Sequence, residues 1–202
     1  MAYEAGDLIE VFSLATQDYP EVKQTLVSEE VLQKLAFSPS PSGIIGLAKQ
    51  SDNHNVNPEK VLILDRVQDP GNVGTLLRSA LSFGYHKVYL ISGSASPYSY
   101  KVIAASQGAL FRLDIEEVND GEVLLKELKE QGYFVLGSAL KNAVPLKELK
   151  RQAGKLALIL GNEGQGISEN LLALSCVNVK IEMEDMESLN VGVAGGILMY
   201  CL

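Results

Sequence analysis

Leu156-Ala157-Leu158-Ile159-Leu160-Gly161-Asn162-Glu163-Gly164-Gln165-Gly166-Ile167-Ser168 decides how the chain is read. Five apolar residues in succession suit a strand buried on both faces of a parallel sheet. Three glycines within six residues then let the backbone turn tightly and approach a neighbour closely. The spacing is not G-x-G-x-x-G, and no Gly-Lys-Ser/Thr follows, so neither a dinucleotide fingerprint nor a P-loop is supported. Glu163 in the turn would repel a pyrophosphate and suits a ligand that carries hydroxyls or positive charge. Ser168 stands where the N-cap of a following helix belongs.

Outward from this stretch, similar apolar runs occupy residues 61–64, 88–91, 133–136 and 177–181, with a weaker one at 111–115. Helical patterns lie between them, near 72–83, 99–107, 121–131, 168–175 and 189–201. Alternating strands and helices over residues 60–202 predict an open α/β sheet covered on both sides. Ligands of such sheets bind beyond the carboxyl ends of the strands, so the loops there are the candidate sites.

Two further loops stand out. After residue 64 runs Asp65-Arg66-Val67-Gln68-Asp69-Pro70-Gly71-Asn72-Val73-Gly74. Pro70-Gly71 makes a turn and Asn72 is positioned to cap the next helix. That helix carries an apolar stripe at positions 73, 76, 77, 80 and 81, with Arg78 off it beside Thr75, Ser79 and Ser82. Arg78 reads either as a solvated side chain or, one turn from a glycine-rich helix start, as a partner for an RNA phosphate or a developing alkoxide. The other loop ends Glu182-Met183-Glu184-Asp185-Met186-Glu187-Ser188-Leu189-Asn190 before Val191-Gly192-Val193-Ala194-Gly195-Gly196. Ser188 or Asn190 is the expected cap. Glycines inside a helix cost about 1 kcal/mol each relative to alanine, so a ligand or a backbone segment is expected to pass very close to that face.

Composition narrows the class. The chain has 202 residues, 47% hydrophobic and 21% charged, which is globular usage. No apolar run nears the roughly 18 residues of a membrane span. The acidic Met1–Asp7 start lacks the regions of a signal peptide, so the expectation is a soluble protein of a reducing compartment. Two cysteines and two histidines, none in a ligand-like spacing, argue against a zinc site, a disulfide framework or a Cys/His nucleophile. Residues 1–59 hold nine acids against three lysines, whereas residues 60–202 hold sixteen acids against fourteen basic residues. The net charge of −8 therefore says little about what the larger part binds. Residues 141–155 are locally basic; a solvated helix face around 146–150 explains this most simply, and an RNA-facing edge is the alternative. The Asn-rich stretch ending in Pro58 reads as a linker over 51–59. Before it, Ser28 with Glu29-Glu30 starts a short helix, and residues 43–48 read as a strand.

Taken together, Asn72-x-Gly74-x-x-x-Arg78, Gly161-Asn162-Glu163-Gly164-x-Gly166-Ile167 and Ser188-Leu189-Asn190-Val191-x-Val193-Ala194 resemble the three ordered motifs of the SpoU-type (TrmH-like) RNA ribose 2′-O-methyltransferases, a group of the SPOUT class. The resemblance covers residues 60–202. Residues 1–50 resemble the end of the ribosomal-protein-like (L30e-like) substrate-binding domain that often precedes this fold, with its earlier part missing. The resemblance implies a Rossmann-like parallel sheet with a C-terminal trefoil knot. It also implies S-adenosylmethionine as cofactor, rRNA or tRNA as substrate, a homodimer, and neither metal nor membrane. By the same resemblance Arg78, Asn72, Glu163, Ser188 and Asn190 are the catalytic set, and Ser138, Ala139, Leu140, Gly161, Asn162, Gly166, Ile181, Met183, Leu189 and Asn190 hold the cofactor. Where the family usually has Ile-Pro-Met, this chain has Ile181-Glu182-Met183 and then more acids. A cytoplasmic location is implied for a bacterial source, or an organellar one for part of a targeted precursor. The rival readings are a non-catalytic SPOUT-fold RNA-binding or scaffold protein, a base-methylating SPOUT enzyme and a nucleotide-binding oxidoreductase.

Overall fold

The structure is a computed structural model that describes all residues except 39, 51–57 and 150–153. It divides into two units, Met1–Asp52 and Asn53–Leu202. Most of the expected linker at 51–59, and the basic residues at 150 and 151, lie outside the described residues.

The first unit contains β1 (Leu8–Ser13), β2 (Lys23–Leu26), α1 (Glu29–Leu35) and β3 (Ile44–Ala48). β1 lies centrally, parallel to β2 and antiparallel to β3. Ser28 caps α1 by accepting from the Val31 N–H, and Glu29 and Glu30 occupy its positive end. Val11 and Leu32 are its fully buried apolar residues among those described, a small core for one sheet face. β2 escapes the sequence pattern because Lys-Gln-Thr-Leu shows no apolar alternation.

The second unit alternates as expected: β4 (Lys60–Asp65), α2 (Pro70–Ser82), β5 (Lys87–Ile91), α3 (Tyr100–Ser106), β6 (Asp114–Val118), α4 (Gly121–Glu130), β7 (Phe134–Ser138), the two-residue β8 (Val144–Pro145), β9 (Leu156–Gly161), α5 (Glu169–Leu174), β10 (Val177–Lys180) and α6 (Val191–Cys201). The weak apolar run at 111–115 divides into a 3-10 turn at Ala109–Arg112 and the start of β6. The suggested helix face at 146–150 is a short 3-10 turn, Leu146–Glu148. All strand pairs are parallel, in the order β6-β5-β4-β9-β7-β10-β8. Alternate residues of β4 serve opposite faces. Leu62 and Leu64 join a core with α2, α3 and α6, while Val61 and Ile63 join one with α4 and α5.

The strand order positions the site. β4, β5 and β6 march one way, and β7 lies on the other side of β4 with β9 inserted between them. The carboxyl ends of β4, β9, β7 and β10 are therefore neighbours, at the region where the order reverses. The glycines of α6 have an explanation other than the expected ligand or backbone. A Cβ on Gly195 would stand 2.3 Å from Leu76 Cδ2 and 2.6 Å from Leu160 Cδ1, and one on Gly192 3.3 Å from Thr75 Cγ2. Side chains of α2 and β9 fill that space, so burial offsets the helix-propensity cost.

Candidate active site

Three chain segments meet through one polar relay. Asn190, just before α6, caps that helix by accepting from the Gly192 and Val193 N–H groups at 2.9 and 3.2 Å. Its Nδ2 donates to Asn72 Oδ1 at 2.8 Å. Asn72 Nδ2 in turn donates to Glu163 Oε1 at 3.0 Å. The Glu163 carboxylate also accepts the main-chain N–H groups of Gln68 and Asp69, both at 3.2 Å. Each amide has its two ends committed to different partners, so the relay fixes the orientation of both asparagines.

This arrangement corrects the reading of Asn72 as a helix cap. Asp69 is the cap; its side chain accepts from the Asn72 N–H at 2.8 Å, and Pro70 opens the helix where a missing N–H costs nothing. Asn72 is thereby freed to reach across to Glu163 and Asn190. Ser168 stands at the N-cap of α5 without a side-chain capping bond, and its N–H donates to Asp65 Oδ2 at 2.7 Å.

Burial alone would raise the Glu163 carboxyl, but hydrogen bonds from the Asn72 amide and from main-chain N–H groups, including those of Asp69 and Gln68, hold it below the ordinary value of 4.5. A carboxylate so held is a weak base, and its role is to orient Asn72. Because the folded value is depressed, its contribution to stability is complete above the unfolded value near 4.5 and fades as pH falls through the lower folded value. The difference in melting temperature between wild type and Glu163→Gln should stay level from pH 7 to about 5 and shrink below that. A difference that shrinks instead on the alkaline side contradicts this account.

Gly161 and Gly166 close the loop that carries Glu163. Asn162 and Gly166 exchange two main-chain hydrogen bonds, at 3.1 and 2.8 Å. Gly166 is in the left-handed region at φ +72°, and Gly161 packs against the Gly166 backbone.

The remaining expected cofactor residues follow neighbouring strands. Ser138, Ala139 and Leu140 lie at the end of β7, and Ile181 and Met183 just beyond β10. Leu140 and Leu189 are 55% and 37% exposed, apolar surface that a ring system could cover. Ser188 is exposed beside Leu189 and takes no part in the relay. A cavity of 360 Å³ lies nearby, lined by Leu146, Leu149, Ile181, Ile197, Cys201 and Leu202 with Lys147 and Glu182. Of the expected cofactor set it includes Ile181 alone. Lys147 pairs with Glu182 at 3.5 Å, which ties the basic stretch to the acidic loop.

Arg78 is not brought into the relay. It is exposed on α2, six residues beyond Asn72 and so about 120° round the helix from it. Within one chain its guanidinium faces outward. Among the described residues, no cluster of three or more His, Cys, Asp or Glu could hold a metal, and no helix is long and apolar enough to cross a membrane.

The parallel sheet, with its loops joined at the carboxyl ends of the strands, is an open α/β fold. A family model described as the SpoU rRNA Methylase family matches residues 59–200, and the chain belongs to that family, a class of RNA methyltransferases. The 23S rRNA (guanosine(2553)-2′-O)-methyltransferase RlmP of Bacillus subtilis is 35% identical over 178 residues, 88% of this chain and 71% of that protein. An uncharacterized tRNA/rRNA methyltransferase of Synechocystis is 33% identical over 89% of this chain and 66% of its own length. The chain thus spans just under two thirds of that relative. Among solved structures, a TrmH-family chain from Porphyromonas gingivalis superposes with TM-score 0.85 at 29% identity, over 99% of this chain and 84% of that one. An AdoMet-bound rRNA methyltransferase from Sinorhizobium meliloti shares the fold, with TM-score 0.86 at 23% identity over 99% and 81% of the two chains.

Proposed function

We propose that the chain transfers a methyl group from S-adenosylmethionine to a ribose 2′-hydroxyl of ribosomal or transfer RNA, at a site completed between two copies of the chain. The observation that carries this reading is the Asn190–Asn72–Glu163 relay, which joins all three motif segments at the carboxyl ends of the strands. The residues fit the cofactor: Leu140 and Leu189 offer exposed apolar area beside main-chain polar groups. When bound, the cofactor supplies an electrophilic methyl group on a sulfonium. The loops after β7, β9 and β10 would hold its adenine and ribose through the main chain of Gly161, Ile181 and Leu189.

Positioning of the hydroxyl supplies much of the acceleration. A guanidinium is a donor fork with no acceptor, so the role of Arg78 is to orient an RNA phosphate and stabilise the forming alkoxide, while a phosphate oxygen or water accepts the proton. Its outward direction supports a dimer. So does α6, which carries no charged residue and leaves Val193 and Tyr200 52% and 77% exposed. The knot is supported by topology. Residues 139–143 must cross β10 to link β7 with β8, which lie on its two sides, and the chain leaves β10 beside that crossing. The first unit would help to hold the RNA substrate.

The deciding experiment is incubation with labelled S-adenosylmethionine and total RNA, followed by nucleoside mass spectrometry. Ribose-methylated nucleosides are expected, and base-methylated ones point to a different SPOUT chemistry. Calorimetry with S-adenosylhomocysteine should show binding. Binding without transfer favours the non-catalytic alternative, and absence of binding removes the cofactor assignment.

A further inference from the structure

The motif reading gives no role to the pair at the end of β4, Asp65 and Arg66. Asp65 is buried, with 1% of its surface exposed, and a carboxylate in that position requires partners. It has three donors: Arg66 Nε to Oδ1 at 3.0 Å, Arg66 Nη2 to Oδ2 at 3.3 Å, and the Ser168 N–H to Oδ2 at 2.7 Å. Arg66 adopts φ +56°, a left-handed conformation uncommon outside glycine and a form of stored strain. Its aliphatic stem lies over Gly93, where a Cβ would stand 3.1 Å from Arg66 Cγ.

Two further polar groups of Arg66 are turned toward the loop that carries Glu163. Its carbonyl accepts from Asn162 Nδ2 at 2.9 Å, and its Nη1 donates to Gln165 Oε1 at 3.3 Å. Asn162 Oδ1 continues the network by accepting the Gly164 and Gln165 N–H groups at 2.9 and 3.0 Å. The loop is therefore held at its start through Asn162, at its tip through Gln165 and at its end through Ser168, all by two adjacent residues, the last of β4 and the one after it.

We infer that Asp65 and Arg66 are positioning residues for the methyl-transfer site, acting as a latch that sets the 162–168 loop so that Glu163 can orient Asn72. This rests on the function proposed above for the same site. The strain at Arg66 is consistent with the role, because the left-handed turn presents the carbonyl and the guanidinium of one residue to the same loop.

The test uses Arg66→Met, which keeps the stem over Gly93 and removes the guanidinium. Methylation kcat should fall about tenfold with the RNA KM within roughly twofold. In a Glu163→Gln background the same change should cost less than about twofold further, because what the latch positions is already lost. Hydrogen exchange supplies a readout independent of activity: the Gly164 and Gln165 amides should exchange about tenfold faster in Arg66→Met. Unchanged exchange overturns the latch, and so does an equal loss of kcat in both backgrounds. A change confined to RNA KM overturns it in favour of a direct RNA contact. If wild type transfers no methyl group, the functional reading itself fails, and the exchange result still decides whether the latch exists.

Discussion

Replacing Arg78 by alanine should lower methylation kcat/KM by about a thousandfold, close to 4 kcal/mol of transition-state stabilisation. S-adenosylhomocysteine affinity and melting temperature should be nearly unchanged. The contrast follows from where the residue sits. Arg78 is exposed on the outward side of α2, away from the apolar face that holds the helix to the sheet, so folding has little use for it. It also takes no part in the Asn72 relay. Its effect is then concentrated on the RNA and on the oxygen that becomes an alkoxide. Arg78→Lys separates charge from shape: the cation remains, but the planar fork that grips a phosphate is gone. That variant should recover only part of the loss and stay at least about tenfold below wild type. Methylation at the wild-type rate in Arg78→Lys rules out the fork geometry, and a large fall in melting temperature in Arg78→Ala shows that the residue serves folding instead.

The parts of this molecule that were legible in its sequence are those with strong local signals. The apolar runs that became β4, β5, β7 and β9 are buried on both faces, and their continuity is what such burial demands. β2 and β8 carried no such signal, the first because it is polar and the second because it is two residues long. Asn72 shows how a local rule misleads. Its type and place suit a cap, yet Asp69 takes that role, and the amide is used across a separation of 118 residues by Asn190. Long-range use of a side chain leaves no mark in nearby spacing. The glycines of α6 announced close approach correctly but not the partner, because the side chains of Leu76, Thr75 and Leu160 come from distant elements, α2 and β9. Asp65 and Arg66 passed as ordinary loop residues for the same reason: only the assembled sheet brings them against Asn162, Gln165 and Ser168.

The largest effect on stability is expected at Gly161. A Cβ there would stand 2.2 Å from the carbonyl carbon of Gly166 and 2.2 Å from the nitrogen of Ile167. Both are backbone atoms, with no flexible end to swing aside. Gly161→Ala must therefore push residues 166 and 167 away from β9, which opens the paired hydrogen bonds between Asn162 and Gly166. Overpacking of this kind costs about 1–3 kcal/mol, and two lost main-chain bonds add about 1 kcal/mol each. The sum corresponds to a fall in melting temperature on the order of 10 °C for a chain of this size, together with loss of S-adenosylhomocysteine binding if the proposed pocket is correct. Two neighbouring glycines serve as controls. At Gly166 a Cβ meets nothing within 4 Å, but φ is +72°, so alanine should cost about 1–2 kcal/mol through conformation alone. At Gly164 the nearest atom is Asn162 Oδ1 at 3.6 Å, an ordinary contact, and alanine should fall within about 0.5 kcal/mol of wild type. Thermal melts of the three variants should rank the damage as 161, then 166, then 164. Any other order, above all a benign Gly161→Ala, means that the loop does not fold back on the end of β9 in the way that brings Glu163 to Asn72.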